Sequence, residues 1–549
     1  MFYLRKQIEL GLNFLTYNVD SKRGCLPYFA TIFDCDPAEN HHDWPDFIDL
    51  SARYIEAFIM ARGVLNITMP SDVEIALKKL LLSYSNENDG LFYRPKLPIP
   101  YFSTIFQRYY NEHVAELFDQ GRALWGLLAW VSDSNDHFVH ITIEQMTKRL
   151  LELMICRENY GYFCKSQFEP DYKPITDINP MPHQLYYTGT LIHPLVLIHN
   201  ITGDTAAIEI AQRAANFFIS HSNYFAEDGS WICSSGTAWE AQLDGHAHAR
   251  LATLAGIITL GIKTNQKQMI DWAKQSYDWY IRNYCSSLGW CPEFIGRFDI
   301  KDEDCETCTV MDAIQCALAL TEAGFFEYYE LVEKFTRNQL WENQLTDTSF
   351  FKNNIQKTDN ESSCFNNVAQ KVLGGFAGWA APNDLIGNSI YANRLMNCCG
   401  PSGIKSMCLV WNNIYKLEEN DLYLNILMER NDKIIEIKNC QPDNGLLTCI
   451  PNIQCNLYIK CRSWMNLKKI NVKINNQIQT PEAQPGYLVI KNVKPNDLVS
   501  INYNIEDRQE TSKFNGRTYT ASWRGDTVID ISPSGQHKPF YQKRLTFRK

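Results

Sequence analysis

The chain has 549 residues, of which 45% are hydrophobic and 21% charged, and its formal net charge is −10. This length predicts two to four domains, and the composition is typical of a globular protein rather than a disordered one. The acidic balance, without a basic stripe, argues against a nucleic-acid partner.

The apolar runs predict neither a secretory signal nor a membrane span. Glu9 interrupts the apolar residues at the N-terminus, and the longest apolar run, around residues 251–262, is too short to cross a bilayer. We therefore expect a cytoplasmic protein with no membrane partner. In that compartment most of the 18 cysteines should be reduced and buried as small hydrophobic side chains.

Helical periodicity dominates the chain up to about residue 415. Apolar residues recur at three- and four-residue spacing, which predicts about twelve helices. The stretches are 3–17, 50–65, 72–84, 113–131, 142–155, 183–201, 205–221, 244–262, 267–283, 305–323, 325–344 and 401–415.

A turn glycine followed closely by aromatic or apolar residues recurs between these helices. It stands at Gly24, Gly90, Gly161, Gly229 and Gly289, with successive positions roughly 60 to 70 residues apart, and Gly375 is a candidate sixth. Each interval accommodates a pair of helices. About six such pairs predict a closed (α/α)6 toroid over residues 1–415, with an open helical array or an irregular bundle as the alternative.

After about residue 415 the hydrophobic period changes from 3.6 residues to 2. Short alternating runs, separated by turns rich in proline, glycine, asparagine and aspartate, predict a C-terminal antiparallel β-sandwich over residues 416–549. The predicted strands are 422–427, 434–437, 456–460, 470–474 and 498–502.

Two short cysteine patterns stand out as candidate chemistry. Cys305-Glu306-Thr307-Cys308 and the adjacent pair Cys398-Cys399 each lie at the start of a predicted helix, where the helix dipole favours thiolates. Glu306 and Cys308 can share a ligand only if the chain enters that helix in an extended or first-turn conformation. Three thiolates and a carboxylate are a plausible tetrahedral set for zinc. From spacing alone, an inert buried cysteine pair is the simpler interpretation.

Residues of about 40 to 530 resemble the glycoside hydrolase 127 family, the β-L-arabinofuranosidases. The strongest matches are the segments around the two cysteine patterns, and shorter ones occur in the same order along the chain. The matching segments are Asp49 to Glu56, Asp89-Gly90-Leu91, His183-Gln184-Leu185-Tyr186, Gly245-His246-Ala247, Glu306-Thr307-Cys308, Cys398-Cys399, Arg462-Ser463-Trp464 and Trp523-Arg524-Gly525.

The resemblance implies a zinc-dependent retaining glycosidase with a cysteine nucleophile. Cys398 would attack the anomeric carbon, giving a thioglycosyl intermediate and retention of configuration. Metal coordination would keep its sulfur deprotonated at neutral pH. The implied zinc ligands are Glu306, Cys308, Cys398 and Cys399.

The resemblance also implies roles for residues around that site. Glu293, which follows a repeat turn, would be the acid/base, and His183 and His246 would hydrogen-bond sugar hydroxyls. Trp239 and Glu240, just before His246, either line the cavity or pack in its wall. The expected partner is an oligosaccharide or glycoside, and the expected cofactor is Zn²⁺.

Several positions depart from the family pattern. Gly400-Pro401-Ser402 stands where two prolines and an asparagine are usual, and His183-Gln184 replaces a histidine–glutamate pair. Thr190 replaces a second histidine, and the stretch from Glu293 to Glu306 is shorter than in the family. The resemblance implies a β-L-arabinofuranoside or a related rare sugar of plant-type glycans as the substrate, and these changes near the cavity favour a sugar that differs from that of the family.

Two other functions stay open at this point. Another (α/α)6 carbohydrate enzyme, such as an unsaturated glucuronyl hydrolase or a sugar epimerase, would use aspartate or histidine pairs. It would leave the Glu306 and cysteine set without a role. A non-catalytic carbohydrate-binding protein would use zinc only to hold two helix ends together.

Overall fold

The computed structural model describes residues 2–42, 47–96, 99, 113–174, 178–233, 245–296, 304–388, 393–514, 516–542 and 544. The first part of the chain is largely helical and the last part consists of β-sheets, as predicted. Among the helices of these ranges, none has both the length and the apolar character that a bilayer span requires.

Within the described residues, six inner helices form a closed ring in which each packs against the next and the last against the first. They are Phe47–Leu65, Leu117–Ser134, Ile192–Thr202, Ala247–Lys263, Thr307–Glu322 and Cys399–Asn412. Most of their side chains are buried, and in Thr307–Glu322 all but the last residue are buried. This is the pattern of helices enclosed by other helices.

An outer helix precedes each inner helix in the chain and packs against the inner ring. Their apolar residues lie on one face, as in His137–Leu153, where Val139, Ile143 and Met146 are buried at helical spacing. The double ring confirms the predicted (α/α)6 toroid. The outer helices are Leu4–Tyr17, Asp72–Leu82, His137–Leu153, Thr205–Ser220, Lys267–Tyr284 and Tyr328–Phe335. The last of them continues as a π-helix over Thr336–Leu340. Two further helices, Gln184–Tyr187 and Val368–Lys371, are short.

The turn glycines lie where an outer helix leads into the next inner helix. Gly24, Gly90, Gly229 and Gly289 have φ of 64°, 69°, 78° and 93°, a region that favours glycine. In the sixth turn, the glycine with a left-handed backbone is Gly374, with φ of 96°. The sequence prediction, Gly375, differs from it by one residue. All these turns therefore lie at the same end of the toroid as the N-termini of the inner helices.

Within its described residues, the C-terminal part contains three sheets, which are antiparallel except for the pairing of Asp421–Leu424 with Cys455–Lys460. The first sheet has the order Tyr415–Glu418, Asp421–Leu424, Cys455–Lys460, Tyr487–Val493, Glu482–Gln484. The second has the order Arg430–Asn431, Ile435–Asn439, Leu446–Pro451, Val499–Asn502, Asn471–Ile474, Gln477–Gln479. The third comprises Asp507–Phe514, Arg517–Arg524 and Thr527–Ser532.

Short strands also join the loops of the toroid. A four-stranded sheet leads into the Cys398 turn and has the order Arg394–Met396, Ala30–Ile32, Glu39–His41, Ser363–Cys364. Two-stranded pairs are Val19–Asp20 with Leu26–Pro27, Ala115–Glu116 with Gln167–Phe168, and Ile155–Cys156 with Gly161–Tyr162.

A buried ionic cluster joins the toroid to the β-sheets. Glu333 of an outer helix accepts a hydrogen bond from Arg337 at 2.7 Å and pairs with Arg462 of the β-region. Arg462 lies 3.5 Å from Asp526, and none of the four residues is more than 2% exposed. Although burial opposes ionisation, the two arginines lower the pKa of Glu333 to about 2. Glu333 is therefore ionised at neutral pH and depends on the two arginines.

We expect Arg462→Met to lower the free energy of unfolding by about 3–5 kcal/mol, because it leaves buried carboxylates without a counter-charge. The urea midpoint measures the loss. The matched control is Lys491→Met, whose ion pair with Glu482 is half exposed on both sides and should contribute less than about 1 kcal/mol. Equal midpoints for the two variants would contradict a stabilising role for the cluster.

Candidate metal centre

Three inner helices begin at the same end of the ring with a potential ligand at the residue before the helix. His246 precedes Ala247–Lys263, Glu306 precedes Thr307–Glu322, and Cys398 precedes Cys399–Asn412. Glu306 is extended, with φ of −95° and ψ of 127°, while Cys308 lies in the first helical turn. This is the entry conformation that a shared ligand requires of Glu306 and Cys308.

The predicted zinc ligands converge in the structure. Glu306, Cys308, Cys398 and Cys399 each offer one ligand atom, and these atoms all lie within 4.8 Å of one another. Cys308 Sγ lies 3.5 Å from Cys399 Sγ and 4.0 Å from Cys398 Sγ. Zinc–sulfur bonds of about 2.3 Å place tetrahedral sulfur ligands about 3.8 Å apart. The set therefore fits a tetrahedral zinc ion, and the four residues would hold it.

Without a bound metal ion, the side chains of Glu306 and the three cysteines carry few negative charges. Although burial opposes ionisation, hydrogen bonds from Cys398 and Cys399 and the charge of Arg53 hold the pKa of Cys308 well below its usual value. The hydrogen bond to Cys308 raises the pKa of Cys398, and burial raises those of Cys399 and Glu306. A divalent cation would replace the protons of these groups.

The residues after Cys398 that depart from the family pattern have local structural reasons. A Cβ at Gly400 would lie 2.1 Å from the ring of Phe14 in the first outer helix, so a larger residue does not fit there. Pro401 occupies the first turn of its helix, where a missing N–H has no cost. Ser402 Oγ lies 3.3 Å from Cys308 Sγ and accepts a hydrogen bond of 2.9 Å from Arg53.

A charged layer that we did not predict lies behind the cysteines. Arg53 Nη1 is 3.7 Å from Cys308 Sγ, and Arg53 Nε donates to Asp49 at 2.7 Å. Arg122 contacts His248, which pairs with Asp312. A signal was present in the sequence, because charged residues are costly in otherwise apolar inner helices unless they are paired.

We expect Arg53→Met to weaken zinc binding about 10- to 100-fold, because it removes the cation that supports the Cys308 thiolate. Competition with a chelator measures the affinity, and Arg53→Lys should restore part of it. Arg62→Met is the matched control, since Arg62 is buried in the same helix but pairs with Glu74. Equal zinc affinity in both methionine variants would contradict the role of Arg53.

Glu293 lies beside this cluster on the turn that follows Gly289. Its backbone N–H donates to the carbonyl oxygen of Asp304 at 3.0 Å, and its Oε2 accepts a hydrogen bond of 2.7 Å from Trp379 Nε1. Glu293 Oε1 is 4.0 Å from His246 Nε2, which is 3.5 Å from Glu306 Oε2. Although the stretch from Glu293 to Glu306 is shorter than in the family, Glu293 therefore still lies next to the four predicted metal ligands.

The two candidate sugar-binding histidines are both buried, at 6% and 8% exposed for His183 and His246. Burial and the neighbouring His248 hold the pKa of His246 well below its usual value, so its ring is neutral. The ring of Tyr186 lies 5.5 Å from that of His246. His183, three residues before Tyr186, is left-handed with φ of 71° and its ring lies 6.1 Å from that of Tyr187.

Two residues near His183 that differ from the family pattern form hydrogen bonds with the backbone. Gln184 Nε2 donates to the backbone carbonyl of Phe163 at 2.6 Å, and Thr190 Oγ1 donates to that of Tyr186 at 2.8 Å. They therefore hold this segment in place. Trp239 and Glu240 lie outside the described residues.

The structure is similar to solved glycoside hydrolases, whereas no protein-family model and no curated protein matches the sequence. A GH127 β-arabinofuranosidase shares 14% identity over 95% of this chain and 78% of its own, with a TM-score of 0.60. A GH127 β-L-arabinofuranosidase from Geobacillus stearothermophilus T6 shares 14% identity over 87% and 75%, with a TM-score of 0.54. A third structure, described as a glycoside hydrolase, shares 13% over 88% and 77%, with a TM-score of 0.55. At 13–14% identity, the structural similarity establishes the fold alone. At the level of the fold, it confirms the predicted resemblance to the glycoside hydrolase 127 family.

Proposed function

We propose that this protein is a zinc-dependent retaining glycoside hydrolase with Cys398 as its nucleophile. The observation that carries the proposal is the convergence of three cysteines and Glu306 at the end of the toroid where the inner helices begin, with Glu293 beside them. Within the cysteine set, Cys308 and Cys399 are fully buried, whereas Cys398 is 7% exposed. Cys398 is therefore the cysteine of this set that we assign as the nucleophile.

The chemistry follows a two-step displacement. Cys398 Sγ forms a bond to the anomeric carbon while the bond to the leaving oxygen breaks, and Glu293 gives its proton to that oxygen. Glu293 then takes a proton from water, whose oxygen attacks the anomeric carbon and releases the Cys398 thiolate. Two displacements on one carbon retain its configuration. Bound zinc would keep the cysteine sulfurs deprotonated at neutral pH.

The residues around Glu293 suit this role. Trp379 donates a hydrogen bond to Glu293 Oε2, and Glu293 Oε1 lies 4.0 Å from His246 Nε2. The neutral ring of His246 offers a hydrogen-bonding nitrogen to a sugar hydroxyl, and we assign His183 the same role. The substrate we propose is a β-L-arabinofuranoside or a related rare sugar of plant-type glycans.

An activity screen with a matched zinc measurement tests this function. Protein purified under reducing conditions should contain one zinc per chain and cleave an aryl β-L-arabinofuranoside or a related glycoside, and NMR of the first product should show retention. Bound zinc without hydrolysis of any glycoside in the panel would support a structural zinc in a carbohydrate-binding protein. Hydrolysis with inversion, or without zinc, would contradict the proposal.

A further inference from the structure

A second group of potential metal ligands lies next to the cysteine set and shares one member with it. Atoms of His246, Glu293 and Glu306 lie within 4.8 Å of one another. The three side chains come from the repeat turn after Gly289 and from the starts of two inner helices. One imidazole and two carboxylates are ligands that zinc accepts, and three protein ligands leave a position open for water.

The distances in this group fit shared coordination better than hydrogen bonding. His246 Nε2 lies 3.5 Å from Glu306 Oε2 and 4.0 Å from Glu293 Oε1, both longer than an ordinary N–H···O hydrogen bond. Zinc bonds to nitrogen and oxygen of about 2.0–2.1 Å place tetrahedral ligands about 3.4 Å apart. A small inward movement of Glu293 would therefore complete the group around an ion.

The surrounding contacts hold the three side chains in place. His246 and Phe294 form an isolated β-bridge, in which Ala247 N–H donates to the Glu293 carbonyl at 2.9 Å. Thr309 Oγ1 donates to Glu306 Oε2 at 3.0 Å. Trp379 occupies Oε2 of Glu293, so Oε1 is the oxygen that faces His246. These contacts orient the three side chains toward one another.

We propose that His246, Glu293 and Glu306 form a second Zn²⁺ site, weaker than the cysteine site and filled only at elevated zinc. The site is weaker because it has no thiolates and shares the Glu306 carboxylate with the first ion. An ion held there would occupy the oxygen with which Glu293 transfers protons. Filling the second site therefore inhibits hydrolysis, a consequence that rests on the proposed function, whereas the binding itself does not.

Metal titration of the full chain tests the site. Equilibrium dialysis against buffered free zinc should give one ion per chain at low zinc and two at high zinc. His246→Asn should weaken the second step at least 10-fold and change the first less than 3-fold. His140→Gln, at a partly exposed histidine outside the group, is the matched control and should bind two ions like the wild type.

Cobalt gives a signature that separates the two sites. The first Co²⁺ should produce thiolate-to-cobalt charge transfer in the near ultraviolet, and the second should add visible bands without it. One ion per chain at every zinc concentration, or two in His246→Asn with unchanged affinity, would overturn the second site. An enzyme that fails to hydrolyse any glycoside but binds two ions would contradict the proposed function and leave this site standing.

Discussion

Cys398→Ala is expected to lower kcat/KM on the order of 10⁴-fold or more, because the anomeric carbon loses the atom that forms the intermediate. Initial rates on the glycoside that the wild type cleaves measure the loss. Cys408→Ala is the matched control, since Cys408 is fully buried in the same inner helix and lies outside the ligand set. It should keep wild-type rates.

The intermediate itself gives a second readout of the same prediction. With a substrate whose second step is slow, mass spectrometry of the quenched wild type should find one glycosyl group on the peptide that contains Cys398.

Cys399→Ala should also lose zinc and activity, because Cys399 Sγ is 3.5 Å from Cys308 Sγ in the ligand set. A Cys398→Ala variant that keeps more than a tenth of the wild-type rate would place the nucleophile elsewhere.

The sequence predicted the toroid well because its signals are local. Inner and outer helices carry unbroken helical periodicity, so most observed ends differ from the predicted ones by only a few residues. The stretch 183–201 is the exception, because it divides into Gln184–Tyr187 and Ile192–Thr202. The left-handed conformation of His183 marks the start of this irregular segment.

The β-region was predicted less completely, for a physical reason. The long strand Asp507–Phe514 alternates between exposed and half-buried residues and has no fully buried side chain, so it carries no hydrophobic alternation. The parallel pairing of Asp421–Leu424 with Cys455–Lys460 depends on contacts between segments far apart in the chain. Local patterns do not encode such contacts.

The same limit applies to the candidate site. Chemistry and family resemblance indicated the cysteine set, but only the closed ring brings residues from separate helices to one end. Arg53 contacts Cys308 across 255 positions of the chain and Ser402 across 349. No spacing rule connects residues so far apart. What the sequence does contain is their unusual setting, as charged residues within apolar helices.

Glu293→Gln is expected to lower kcat about 10²–10⁴-fold on substrates with a sugar leaving group, because the amide cannot donate the proton that such a leaving oxygen needs. Aryl glycosides with acidic leaving groups need little protonation, so their first step should be slowed far less and the intermediate should accumulate as a burst. Added azide needs no general base and should restore turnover, yielding a glycosyl azide of retained configuration.

The matched control for Glu293 is Glu510→Gln, since Glu510 contacts Ser287 in the same repeat turn. It should keep wild-type rates with both leaving groups. The difference between leaving groups is the decisive readout, because loss of the Trp379 hydrogen bond alone would slow both substrates equally. An equal loss with both would make Glu293 a positioning residue for the turn and would assign proton transfer to another carboxylate.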